Sequence, residues 1–109
     1  MSTETKPNYS GWTNYETWHV ALWIGNEEGS YLYWREQTTT AYRAARPRQD
    51  WTRKKVAALN LAKQLKEEIE DGNPIEVASL YSDLLGAAIS DVNWYEIAAN
   101  WLDDLDEGE

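Results

Sequence analysis

The chain has 109 residues, a formal net charge of −9, seven Trp, seven Tyr, one His, no Phe and no Cys. Its length suits one domain, and its 42 % apolar content excludes wholesale disorder. The lack of Cys excludes disulfides, thiol chemistry and thiolate metal sites, and no apolar run reaches the roughly 20 residues that span a bilayer, so no membrane partner is expected.

Residues 1–10 are polar and carry no apolar segment of the signal-peptide kind. They are expected to form a flexible tail ahead of a helical domain over 11–105, with a short acidic tail at 106–109. "TNYE", Thr13–Glu16, has capping-box spacing, which predicts a first helix near 14–24. Tyr15, Trp18 and Leu22 form its expected core stripe, Trp12 is a hydrophobic staple before the cap, and Gly25 is a left-handed stop. Trp23 falls off that stripe and is the ring best placed for an external contact.

Ser30 can cap a second helix with Tyr31, Trp34, Thr38, Ala41, Tyr42 and Ala45 along one side, ended by Pro47. Asp50 or Thr52 can cap a third, running to about Asp71, with Ala58, Leu61, Ala62, Leu65 and Ile69 on one stripe. "DGNP" at 71–74 breaks the pattern. A fourth helix is predicted over about 75–89, with Val77, Leu80, Tyr81, Leu84, Leu85 and Ala88 facing one way. Asn93 with Glu96 starts a fifth, whose Trp94, Ile97, Ala98, Trp101, Leu102 and Leu105 give the cleanest amphipathic stripe in the chain. No segment reads as a strand. The predicted fold is all-α, a compact single domain of four to five short helices.

Charge is distributed in blocks. Residues 1–34 carry a net −3, residues 35–66 a net +7, and residues 67–109 thirteen acids with no base. The simplest reading is that the basic middle lies against the acidic C-terminal part within the fold. A sharper reading gives the acidic helices a basic protein partner, with Trp23, Glu76, Asp83, Asp91, Glu96, Asp103 and Asp104 as contacts. A third reading sets Arg43, Arg46, Arg48, Arg53, Lys54 and Lys55 against nucleic acid. Phosphate would repel a chain of net −9 unless that patch were isolated, so direct nucleic-acid binding ranks last.

Catalytic signals are absent. His19 is the lone imidazole, and zinc sites generally need more nitrogen or sulfur ligands than one His with Glu16, Glu27 or Glu28 can supply. There is no nucleophile elbow, "GNEEG" places carboxylates where a phosphate loop would need none, and the cluster Asp103, Asp104, Asp106 and Glu107 lacks calcium-loop spacing. No catalytic residue, metal or cofactor is expected, and the chain does not read as an enzyme.

"GWTNYETWHVALWIGNEEGSYLYWREQ" (11–37) and "YSDLLGAAISDVNWYEIAANWL" (81–102) resemble a family of small proteins carried by bacteriophages, prophages and plasmids, which open on a Gly-Trp-Thr-Asn-Tyr-Glu-Thr-Trp motif. Residues 38–79 match only in general character, and His19 departs from an Asn in the family pattern. The resemblance implies a setting: the cytoplasm of a bacterial host. There a small acidic protein would bind and inhibit or modulate a host protein, such as a CRISPR or restriction component, by stoichiometric association. Family likeness does not by itself carry function.

Overall fold

The computed structural model describes residues 11–75 and 77–105. The expected tails at 1–10 and 106–109, and Glu76, lie outside them. Five helices follow one another: α1 (Tyr15–Asn26), α2 (Glu28–Ala44), α3 (Arg53–Asp71), α4 (Leu80–Asp91) and α5 (Trp94–Asp103). Among the described residues there is no strand, and the fold is all-α. An isolated backbone bridge between Arg48 and Trp51 closes the turn before α3.

The core is built on α3. It pairs most extensively with α5 and next with α2. Leu61, Leu65, Ile97 and Leu102 are sealed from solvent between them, with Ala57, Ala58 and Ala98 letting the helices approach. Each sealed aliphatic side chain contributes about 1.5–3 kcal/mol of transfer free energy. Helix α2 adds Trp34 and Thr38, the Thr38 hydroxyl donating to the Trp34 carbonyl at 2.7 Å, so a polar group is buried without loss of a partner. The stripes expected on α2, α3 and α5 are the ones that face the core, although Tyr31 stays exposed and rests its ring 5.5 Å from Trp101.

Several expected helix ends move. The α1 cap is Asn14, one residue after Thr13, its side chain accepting from the Thr17 N–H at 2.9 Å. Thr13 instead gives its N–H to Glu96 Oε1 at 3.2 Å. Gly25 is an ordinary helical residue, and α1 continues to Asn26. Glu27, not Ser30, caps α2: its Oε1 accepts the Ser30 N–H at 2.7 Å. The Ser30 hydroxyl turns back to the Ile24 carbonyl at 3.0 Å. Thr52 caps α3 and Asn93 caps α5, as their spacing predicts. Helix α4 begins at Leu80 behind a Ser79 cap, five residues later than expected.

The core face of α1 also differs. Thr17 and Ile24 are buried, with Val20 and Ala21 packed against the core beside them. Tyr15 and Leu22, placed on the core stripe by spacing, are exposed. Thr17 can enter the core because its hydroxyl is fully engaged. It donates to Asn14 Oδ1 at 2.6 Å and accepts the Asn93 N–H at 2.8 Å. The displaced rings contact one another, Tyr15 lying 5.6 Å from Trp18 and 5.3 Å from His19, and keep their polar tips near water.

A candidate protein-docking face on α1 and α4

Helix α4 packs principally on α1 and buries no residue. Its apolar residues spread over too wide an arc for one neighbour to cover. Those turned to α1 are Leu85, Ala88 and Ile89, whereas Leu80, Tyr81 and Leu84 are 67 %, 70 % and 59 % exposed, and Val77 just before the helix is 76 % exposed. Of the six fourth-helix positions expected to face one way, Leu85 and Ala88 turn to the groove and these four face solvent. They would need a second contacting helix, and among the described residues the fold supplies none. The breadth of the arc was the available signal: Leu80 and Ile89 lie about 180° apart on a helix of 3.6 residues per turn.

Between α1, the end of α3 and α4 runs an apolar groove of about 410 Å³, within the range of ligand sites. Tyr15, His19 and Val20 line one wall, Leu85 and Ile89 the other, and Ile69 the floor from α3. The start of α1 is fastened to the end of α4 by Asn14 Nδ2, which donates to the Asp91 carbonyl at 2.8 Å. Tyr81 and Leu84 lie at i, i+3 on the stripe that reaches Ala88 at i+7, and Ala88 lines the groove. Exposed apolar surface and groove thus join.

Trp23 is 65 % exposed. It follows His19 by four residues on the groove-side stripe of α1, and its Nε1–H donates to His19 Nε2 at 3.2 Å. In that bond Nε2 is the acceptor. The Nδ1 atom is buried and has no partner among the described residues. His19 thus orients Trp23, and no group of three or more possible metal ligands stands close together among the described residues.

The other sequence-nominated acids separate. Asp83 and Asp91 are exposed on α4. Glu96 is half-buried and holds the Thr13 N–H. Asp103 lies at the far end of α5 beside Lys54, 3.2 Å away, and Asp104 borders a shallow depression with Tyr31, Arg35 and Trp101. Glu76 lies outside the described residues. The nominated bases gather at the α2–α3 corner, mostly in internal roles. Arg46 Nη1 donates to the Arg43 and Ala45 carbonyls at 3.1 and 3.0 Å. Arg53 donates to the Tyr42 and Arg43 carbonyls at 2.9 and 3.1 Å, with its guanidinium 4.5 Å from the centre of the Tyr42 ring. Arg48 and Lys55 flank the half-exposed Trp51 at 6.0 and 5.7 Å. No helix among the described residues is long and apolar enough to cross a membrane.

A family model described as a family of unknown function, DUF7249, matches residues 5–105. No curated protein and no solved structure matches the chain.

Proposed function

The chain belongs to the DUF7249 family of unknown function, and from its surface we propose that it is a stoichiometric protein-binding module whose docking face is built by α1 and α4. One observation carries the reading. Val77, Leu80, Tyr81 and Leu84 are more than half exposed and run into an apolar groove, an arrangement that marks an interaction surface on a small protein. Exposed Trp23 supplies an aromatic of the type that anchors interfaces. The resemblance to small proteins of mobile elements supports a bacterial host protein as partner, a nucleic-acid-processing defence component among them, with inhibition by occupancy instead of by catalysis.

The test compares wild type with Leu80→Gln/Leu84→Gln and with Trp23→Ala in affinity purification from the natural host, followed by mass spectrometry. All three proteins should unfold at similar temperatures, and a specific partner should be lost with the double variant and weakened with W23A. Capture of the same proteins in the same amounts by all three would sink the reading.

A further inference from the structure

Resting on that docking reading, we infer that the occupant of the α1–α4 face is a basic amphipathic helix. Three features select it. First, the groove is bounded by helices, and among the described residues there is no open sheet edge to which an extended peptide could add a strand. A groove walled by two helices matches the mode in which an apolar helix face is laid into it, read by anchors at i, i+3, i+4 and i+7. From Tyr81 to Asp91 α4 runs eleven residues, about 16 Å or three turns, matching a partner helix of similar length.

Second, the charge on the two helices that wall the groove is acidic. Helices α1 and α4 contain no Lys or Arg, Glu16 lines the groove, and Asp83 and Asp91 stand on α4. The end of α3, which meets the groove at Ile69 and Gly72, carries Glu70 and Asp71, with Lys66 one turn earlier. A helix with Lys or Arg beside its apolar stripe meets an opposite charge on either flank.

Third, the same charges disfavour the other occupants. A second copy would set α4 against α4, with Asp83 and Asp91 facing their own kind, no base on either helix to answer them, and −9 on each chain. An anionic lipid surface or a nucleic-acid strand would be repelled likewise.

The experiment uses the full-length protein and three synthetic peptides of about fourteen residues, four helical turns. One is an amphipathic Leu/Lys helix, the second has the same composition scrambled to destroy the apolar stripe, and the third has Glu in place of Lys. Binding is followed by amide chemical shifts. The first peptide should saturate at one per protein and shift amides of α1 and α4, and should weaken at least tenfold between about 50 and 300 mM salt. The other two should bind at least tenfold more weakly. Ala88→Phe, which fills the groove and removes no charge, should reduce affinity at least tenfold. Glu16→Gln/Asp91→Asn, which leaves the groove open, should weaken binding and flatten its salt dependence, and serves if A88F does not fold. Asp103→Asn/Asp104→Asn should change nothing.

Equal binding of the scrambled peptide, or shifts centred on the end of α5, would overturn the inference, as would failure of the Leu/Lys helix to bind. If host-protein capture still depends on Leu80 and Leu84 in that event, the docking reading stands and the partner has another chemistry. If capture ignores Leu80 and Leu84, the docking reading itself fails.

Discussion

The Asn93 N–H donates to the Thr17 hydroxyl at 2.8 Å across 76 positions of sequence. The same hydroxyl passes its own proton to Asn14 Oδ1 at 2.6 Å, and Asn14 Nδ2 reaches the Asp91 carbonyl. Two helix caps, Asn14 of α1 and Asn93 of α5, are thereby tied through one buried oxygen. This gives a physical reason why "TNYET" and "DVNWYE", near opposite ends of the sequence, act together: they form one polar clasp that closes the chain and seats α1 against α4.

Thr17→Val keeps the shape of the side chain and removes the oxygen. The Asn93 N–H then loses its partner in a largely closed site, and Asn14 Oδ1 keeps only the Thr17 N–H of its two donors, at a cost of about 1–3 kcal/mol. Thr17→Ser keeps the hydroxyl and should lose only about one methyl group's burial, near 0.8 kcal/mol. Urea titration of the three proteins measures this. A valine variant as stable as the serine variant would show that the clasp contributes little.

Gly25→Ala separates the two accounts of the first helix. At a left-handed stop, alanine would be strained. In the structure Gly25 is helical, and an added Cβ meets no atom within 4 Å. Gly86 in α4 is equally open. Each alanine should stabilise the fold by about 0.5–1 kcal/mol, raising the thermal midpoint by a few degrees. A fall in the midpoint for G25A would restore the stop.

Core and docking residues should respond oppositely to truncation. Leu61 and Leu65 are sealed between α3 and its neighbours, so either changed to Ala should cost about 2–5 kcal/mol. Leu84, 59 % exposed, changed to Ala should stay within about 0.5 kcal/mol. A large loss at Leu84 would place α4 in the core and remove the exposed face.

Helices α3 and α5 were legible because each carries a narrow apolar stripe behind a capping residue, Asn93 for α5 and, of the two candidates Asp50 and Thr52, Thr52 for α3. Helix α1 offered two stripes. Tyr15, Trp18 and Leu22 hold more apolar area, yet Thr17, Val20, Ala21 and Ile24 face inward. The choice depends on Asn93, which satisfies the Thr17 hydroxyl from 76 residues away, and helical periodicity carries no trace of such a partner. The α1 cap falls one residue after the expected Thr13 for a similar reason: Asn14 caps the helix, and Glu96, 83 positions away, takes the Thr13 N–H. Trp23, off the expected core stripe, is exposed, whereas the shared side of Leu80, Tyr81 and Leu84 on α4 does not by its spacing reveal how many neighbours pack on it.

Tyr33 gives a pH signature. Its hydroxyl donates to Glu68 at 2.8 and 3.0 Å, and that bond, followed by partial desolvation and the Glu68 charge, raises its pKa above the ordinary value of 10.0. The folded state thus holds the phenolic proton more tightly than the unfolded chain. The added stability is complete below pH 10 and is lost as the pH rises through the raised folded value. Tyr33→Phe should be slightly less stable than wild type at neutral pH, and the gap should close in alkaline buffer. A gap that widens above pH 10 would reverse the assignment. The side chain is solvent-facing, so the effect should be small.

Arg53 decides how much of the basic corner is free for nucleic acid. Its guanidinium closes the Tyr42 and Arg43 carbonyls at the end of α2 and stacks on the Tyr42 ring, a fork that a lysine ammonium cannot reproduce. Arg53→Lys should destabilise the protein by about 1 kcal/mol although the charge is kept. Arg46 serves the same helix end, and Lys54 is bonded to Asp103. Of the other nominated bases, Arg48 and Lys55 rest on Trp51 in a chain of net −9. No gel shift of single- or double-stranded nucleic acid is therefore expected at about 50 mM salt, where electrostatic binding is strong. A shift abolished by Arg48→Ala/Lys55→Ala would instead make this corner a nucleic-acid contact, with Trp51 as the stacking platform.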